Sequence, residues 1–574
     1  MALAENVIRK IHKLGLIPKA VGLLPQISFL FAVSSLVWLL TLPQSGNFRN
    51  CYISENALMP SQVHSYFRES EWNIVRGYRE EVAKLEHEQD LHRRNQVISE
   101  WLLDLGLQVS YHEDTMYAIM HAPRGENTEA MALVVPWINS DSEFNEGGMS
   151  LGVALMRYFQ RISVWSKNII LVIPPDGARS LRSWVEAYHT TLDDTAGSIE
   201  AAIVVEYGKQ GDYFAYYDMF YEGLNGQLPN LDLLNTANLI SHHEGISCSL
   251  QGISGKEQSY ENRLKTLFKG IFKLVTAGLT DVHGHEAFSG WQIQAFTIKA
   301  RGNQGHDVTQ FGRIIDSTFR SVNNLLEKFH QSFFFYLMLS PKHFVSIGTY
   351  LPAAVTLALT YAIGFLDAIL NSKIDLREIP QHLTKLLMLV VIIETSCVVT
   401  ALVIPQYSVE LFQPVSLALS VVGGVIVSRA SVLNRTMSYF VIALGLLIMS
   451  LLIAALLIVH FALAFTLGLL ALPLTFLPTL IRKNRVLAVL CLVVSNPFLI
   501  LYVGGVFIGY KDVLSSLIQA WADLQSWTWF IFALGWFPVW LMIAYASITL
   551  IFEPQSPSQV QQPPATTAKS EKSN

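Results

Sequence analysis

The sequence predicts a globular α/β domain, built on a mixed and mostly parallel sheet with helices on both faces, joined to a polytopic α-helical membrane domain. Three observations predict it. Between Ala130 and Tyr207 apolar strands alternate with helix-length amphipathic runs, 51% of the 574 residues are hydrophobic against 15% charged, and from Phe344 to Phe552 the chain is almost continuously apolar. Strands apolar on both faces and separated by helices are parallel strands covered by crossovers. So much apolar sequence with so little charge belongs in a bilayer. The net charge of -5 makes no electrostatic case for nucleic acid.

Residues 1–22 are basic (Arg9, Lys10, Lys13 and Lys19 against Glu5) and precede an apolar run at 23–42. That run is long enough to span a bilayer, which takes about 20 residues, and reads as a signal anchor with a cytosolic amino terminus. Residues 43–343 have the composition of one large α/β domain. It opens with helices at Val63 to Leu85 and Glu86 to Leu105, then a strand pair at Leu107 to Tyr111 and Met116 to Met120. Strands at Ala132 to Ile138, Ile169 to Ile173 and Ala201 to Val205 alternate with helices at Met149 to Ile162 and Leu181 to Thr190. A strand at Tyr213 to Tyr221, helices at Leu231 to Ile240 and Tyr260 to Leu279, and a strand at Trp291 to Lys299 follow. A long helix is expected from Val308 to Leu339, its aromatic end lying at the membrane interface or packing on the domain itself.

Seven spans are expected in 344–552, at Phe344 to Leu370, Thr384 to Ile404, Leu411 to Val427, Met437 to Leu457, Ile458 to Leu480, Val486 to Gly509 and Thr528 to Phe552. The boundary at His460 has the weakest signal. Lys373, Arg377, Lys385, Arg429, Arg435, Arg482, Lys483 and Arg485 all fall on the side this count makes cytosolic, and only Lys511 falls opposite. The asymmetry predicts about eight spans, both termini cytosolic and the α/β domain outside the cytosol. The tail, 553–574, is rich in Gln, Pro, Ser and Thr and reads as disordered. Asn434-Arg-Thr436 falls in a cytosolic loop, so no N-glycan is expected. Cys51 and Cys248 are the one pair able to bridge in an oxidising compartment, and two free buried thiols are the alternative.

In the membrane, Glu394 sits mid-span, where a charge costs about 2.5–3.5 kcal/mol on insertion scales, and should face another helix or stay protonated. Pro538 in Gly535-Trp-Phe-Pro538 removes a helix hydrogen bond and can bend the last span to open a crevice. Trp527, Trp529, Trp536 and Trp540 are alternatively interfacial anchors. In the α/β domain, Asn225-Gly226 favours a turn with positive φ, and Asn230 is placed to cap the helix from Leu231. Asn225, Gln227 and Asn230 are thus either structural or contacts for a glycan or partner.

The order of elements resembles the zinc aminopeptidase fold shared with the transferrin-receptor ectodomain. That resemblance implies two metal ions held by several carboxylates and imidazoles. The matching stretches here read Trp137-Ile-Asn139, Gly147-Gly-Met149, Pro175-Asp-Gly177, Glu206 and His306 (or His285). Asn139, Asp176, Glu206 and His306 therefore mark a vestigial cleft, with no metal and no cofactor expected. Asp141, Glu143 and Glu146 form either a substitute ligand set for one ion or a solvated acidic loop.

Two longer segments, Glu222-Gly-Leu-Asn-Gly-Gln-Leu-Pro-Asn-Leu-Asp-Leu-Leu-Asn235 and Leu325-Leu-Glu-Lys-Phe-His-Gln-Ser-Phe-Phe-Phe-Tyr-Leu337, resemble signatures of the GPI-anchor attachment subunits of GPI transamidases. Trp184-Val-Glu-Ala-Tyr-His189 and Phe344-Val-Ser-Ile-Gly348 support the resemblance. It implies a non-hydrolytic, multi-pass subunit of the endoplasmic reticulum membrane with its large domain in the lumen. It further implies a caspase-like cysteine protease subunit and other luminal and membrane subunits as partners, with the GPI lipid and a proprotein's carboxyl-terminal signal as what the complex handles. Pro538, Trp536 and Glu394 are then the candidates for holding the lipid. A membrane-tethered zinc peptidase or amide-forming enzyme using Glu206, Asp176 and His306 is the competing reading, and a lipid transporter the third.

Overall fold

The structure, a computed structural model, describes residues 16–552 except 210, 256–258, 373–375, 404–405, 407–410, 431 and 509–511. The basic residues Arg9, Lys10, Lys13, Lys373 and Lys511 and the tail expected from Glu553 lie outside the described residues. After the first apolar helix, Leu24–Thr41, the strands in chain order are β1 (Arg49–Asn50), β2 (Gln108–His112), β3 (Thr115–Met120), β4 (Glu129–Val134), β5 (Asn168–Ile173), β6 (Ser198–Glu206) and β7 (Tyr213–Phe220). They continue with β8 (Cys248–Leu250), β9 (Ile253–Ser254), β10 (Gln294–Asp307), β11 (Tyr336–Ser340) and β12 (His343–Ser346).

Nine of these form one sheet in the order β2-β3-β5-β4-β6-β10-β7-β8-β9. Its centre, β5-β4-β6-β10, is parallel, and β3 and β7 flank it antiparallel. β4 and β5 are buried almost throughout, as expected for strands with helices on both faces. The crossover helix Glu146–Gln160 connects β4 to β5, and Arg179–Thr190 connects β5 to β6. Two apolar layers result: Leu133, Leu171 and Ile203 pack on one side of the sheet, and Ala132, Ile170 and Val204 on the other.

The sequence-predicted long helix is shorter than expected. It runs from Val308 to Asn323, and Phe333 to Leu339 instead leads into β11, which pairs with β12 in a three-stranded sheet β1-β12-β11. Pairing with β12 makes Tyr336 to Ser340 a strand, buried throughout, and Phe333 to Phe335 precede it. Phe344 accordingly belongs to β12, and the following helix begins at Ile347. Cys51 and Cys248 are free thiols. Burial pushes both up to about 12.

Among the described residues five helices are long and apolar enough to cross a membrane: Leu24–Thr41, Ile347–Leu370, Ile379–Leu402, Arg435–Val459 and Thr528–Phe552. Two bent pairs, Phe461–Leu470 with Leu472–Lys483 and Arg485–Val494 with Pro497–Phe507, bring the number among the described residues to seven if each is one span. The Leu411-to-Val427 segment corresponds to a shorter apolar helix, Pro414–Arg429. Small polar side chains join the helices: Ser28 and Ser35 donate to the Thr360 and Ala353 carbonyls (3.2 and 2.6 Å), and Tyr361 donates to that of Gly468 (2.6 Å). A buried ion pair closes one end of the bundle. Arg482 reaches both oxygens of Asp367 at 3.0 and 2.9 Å, and Asn371 binds Asp367 and the Val21 carbonyl, both at 2.7 Å.

Candidate functional site

In the parallel sheet a ligand would sit beyond the carboxyl ends of β4, β5 and β6. Strand register builds the site there. Lys299 of β10 lies opposite Glu206 of β6 on one side and Asp218 of β7 on the other. Glu206 is 1% exposed. Its carboxylate accepts from the Ser140 amide at 3.0 Å and hydroxyl at 2.7 Å, and lies 2.9 Å from Lys299 Nζ. Lys299 also reaches Asp141 at 2.8 Å and donates to Ser140 Oγ at 2.6 Å. Arg301 joins Asp141 to Asp218 at 3.1 and 2.8 Å, so Asp141 is ion-paired at the surface while Glu143 of the same loop stays exposed.

Electrostatics follow from this packing. Burial opposes the Glu206 carboxylate, but His283, Lys299 and Ser140 outweigh it and hold the group at about 2. Burial likewise opposes Asp141, and Lys299 followed by Arg301 keeps it below the usual carboxylate range. His283 stacks on Phe220 with ring centroids 3.6 Å apart, and its Nδ1 stands 3.7 Å from Glu206, an electrostatic contact longer than a hydrogen bond. Both His283 ring nitrogens are buried with no hydrogen-bond partner among the described residues.

The vestigial-cleft residues do not converge around Glu206. Asn139 accepts from the Asp141 and Glu143 amides at 3.0 and 2.9 Å, an Asx turn shaping the acidic loop. Asp176 caps its own turn through the Ala178 amide and the Ser180 hydroxyl. His306 lies beyond a β-bulge and faces Phe214. His285 is held by Thr297 and the Glu222 carbonyl. His283 is the imidazole nearest Glu206. Among the described residues no three His, Cys, Asp or Glu side chains converge as a metal-holding group. Two zinc ions do not fit this donor set, because the Glu206 carboxylate is taken by an ammonium and a serine. Asn145, which the sequence did not single out, joins the strand ends by donating to the Pro136 and Val205 carbonyls and accepting from the Tyr207 amide, at 2.9, 2.9 and 2.8 Å. Gly147 has room for no Cβ, which would fall 2.2 Å from the Tyr207 ring.

Both long motifs meet at a second place. A cavity of about 560 Å³ between the α/β domain and the helical bundle is lined by Gly223, Asn225 and Gln227 of the first, Lys328 and Phe335 of the second, and Trp527. Asn225 (φ 57) and Gly226 (φ 77) form the expected turn. Asn225 accepts from the Trp527 amide at 2.7 Å and donates to the Gln525 carbonyl at 3.3 Å. Gly226 lies so close to the break at His460 that a Cβ would fall 2.6 Å from the Val459 oxygen. Gln227 accepts from the Gly290 amide, and Asn230 caps its helix through the Asp232 amide. Glu222, which opens the motif, is buried; burial raises its carboxyl to about 6.

A third feature is an apolar crevice of about 690 Å³ within the bundle, lined by residues such as Val421, Val425, Phe498, Trp540, Ala544 and Ile548. The last span answers Pro538 with a π-helical turn, Ile531–Trp536, and stays one continuous span; the crevice lies further along it. Trp536 and Pro538 are buried and line no part of the crevice, and Trp536 Nε1 has no hydrogen-bond partner among the described residues. Glu394 is half-buried on the Ile379–Leu402 helix, lines no part of the crevice and makes no hydrogen bond or ion pair among the described residues. Of the four tryptophans, only Trp527 is exposed.

Fold and site define a multi-span membrane protein carrying a mixed α/β domain whose cleft is filled by a lysine. The chain belongs to the family described as Gaa1-like, GPI transamidase component, which it matches over residues 112–544. It is similar to GPI transamidase component GAA1 of Saccharomyces cerevisiae, 43% identical over 95% of this chain and 98% of that one. It is also similar to GPI transamidase component gaa1 of Schizosaccharomyces pombe, 30% identical over 80% of this chain and 82% of that one. Among solved structures, a putative zinc-dependent exopeptidase from Bacteroides vulgatus shares 13% identity over 45% of this chain and 98% of its own, with a TM-score of 0.27. Glutaminyl cyclase from Porphyromonas gingivalis shares 12% over 45% and 96%, with a TM-score of 0.26.

Proposed function

We propose that this chain is a non-hydrolytic subunit of a GPI transamidase, holding the GPI lipid and scaffolding the complex in the endoplasmic reticulum membrane. In this reading residues 43–343 form the luminal domain, 344–552 the membrane domain, and residues 1–22 and 553–574 are cytosolic. A caspase-like cysteine protease subunit cuts the proprotein's carboxyl-terminal signal, and the acyl group passes to the ethanolamine amine of the GPI. This chain contributes by placing that amine. An oriented nucleophile replaces a bimolecular encounter, and such positioning needs no metal ligand.

The observation that carries the non-hydrolytic role is the engagement of Glu206 by Lys299 and Ser140. Lys299 and Ser140 stand at the distance of a serine–lysine nucleophile pair, but the ammonium is committed to Glu206 and Asp141 as well. The apolar crevice beside Trp540, near Trp536 and Pro538, supports a lipid chain as its occupant. Asn225, Gln227 and Asn230 then act as structural contacts that set the domain on the bundle. Val425→Trp, which fills the crevice from its exposed rim, tests the reading in microsomes. Intact co-purifying subunits with proprotein conversion reduced by about tenfold support it, and unchanged conversion overturns it. Purified full-length chain is expected to carry no stoichiometric zinc, with or without Glu206→Ala.

A further inference from the structure

We propose that the Tyr260–Val275 helix lies in the membrane interface and that its outward face, Phe268 and Phe272 flanked by lysines, contacts phospholipid. At its start, Tyr260 donates to the Leu40 carbonyl at 2.8 Å and Arg263 to the Pro43 carbonyl at 3.0 Å, at the end of the first apolar helix. Along its middle, Leu267, Ile271 and Leu274 share one apolar cluster with Leu39, Leu42, Tyr350 and Phe461, residues at or near the ends of three further-reaching helices. Just past its end, Ala277 packs with Leu524, shortly before the last span.

These contacts lie at span ends on one face of the bundle. A 16-residue helix is about 24 Å long. Touching several span ends along that length requires it to lie across them, parallel to the bilayer plane. Its other buried contacts are with the domain, so the remaining face looks outward at the level of the lipid headgroups.

That face has the composition an interface selects. Phe268 and Phe272, one helical turn apart, are 44% and 38% exposed. Lys265, Lys269 and Lys273 border them, held by Glu261 (2.6 Å), the Gln251 carbonyl (3.0 Å) and Asp281 (3.3 Å). Paired ammoniums on long apolar stems beside two aromatic rings match the boundary between acyl chains and phosphates. A water-facing helix has no reason to present two phenylalanines in register. The inference is independent of the crevice and of GPI.

The test uses the full-length chain in microsomes, with p-benzoylphenylalanine placed at position 268 or 272 and, as control, at Tyr111 on β2, the opposite edge of the nine-stranded sheet. After irradiation, mass spectrometry should find phospholipid adducts at 268 and 272 on the order of tenfold above the control. Adducts to a neighbouring protein chain in place of phospholipid, or phospholipid adducts no more frequent than at 111, would overturn the proposal.

Discussion

At Glu206 two effects compete, and the partners decide which wins. Burial alone would raise the carboxyl, yet Lys299, Ser140 and His283 hold it at about 2. Lys299→Met leaves that carboxylate buried and short of its cation, and loss of one member of such a pair costs about 3–5 kcal/mol. Thermal unfolding of the purified chain at neutral pH should register this as a large drop in Tm. Because the folded carboxyl lies below its ordinary 4.5, its contribution is full above that value and fades as pH falls towards 2. Glu222 has the opposite sign. Its folded value of about 6 exceeds 4.5, so its contribution is present below 4.5 and lost as pH rises through 6. Glu222→Gln is therefore expected to raise Tm relative to the unmodified chain at pH 7.5 and not at pH 4.5, which paired melts at the two pH values would decide.

Turns and breaks couple the two halves of the molecule at the scale of single elements. The Asn225-Gly226 turn reaches both the break at His460 and the loop leading to the last span. Ala is strained at the positive φ of either position, but Gly226→Ala must also displace Val459 and His460, so it should cost more than Asn225→Ala, which loses two hydrogen bonds worth about 1 kcal/mol each. Limited proteolysis between domain and bundle should accelerate in that order. His460 itself is a helix boundary visible as such only in three dimensions, where its Nδ1 accepts from the Leu463 amide and starts the second helix. Pro538 and the π-helical turn before it show the complementary case. The freed backbone is absorbed by a local change in helix type and the span remains whole.

Across the whole molecule, Asp367 and Arg482 tie the Ile347–Leu370 helix to the Leu477–Lys483 helix, and Asn371 adds the segment before the first span. Asp367→Ala strands a guanidinium in the bundle and is expected to reduce the folded fraction recovered in detergent sharply. Replacing both members, Asp367→Leu with Arg482→Leu, should recover much of the loss, because an apolar pair requires no desolvation of charge. Size-exclusion profiles of the three variants would show it, and equal loss in single and double variants would refute it.

The sequence by itself determined the apolar spans, the alternation of strand and helix from Ala130 to Tyr207, the cap at Asn230 and the turn at Asn225. Those depend on local periodicity and on side chains acting within a few residues of their own backbone. Most of the fold was therefore legible, and the candidate site was legible in part. Glu206 could be picked out as a carboxylate after a strand, but its partner Lys299 is 93 residues away and is set opposite it by the pairing of β6 with β10. Reading the aminopeptidase pattern onto His306 missed His283 for the same reason: a bulge in β10 carries the first away, and a loop brings the second in. Tyr336 to Leu339 became part of a strand because β12 was there to pair with it. Charge compensation, strand pairing and the meeting of both motifs in one cavity are contacts between distant segments. Only tertiary structure decides them, since no local interaction records which distant group will arrive.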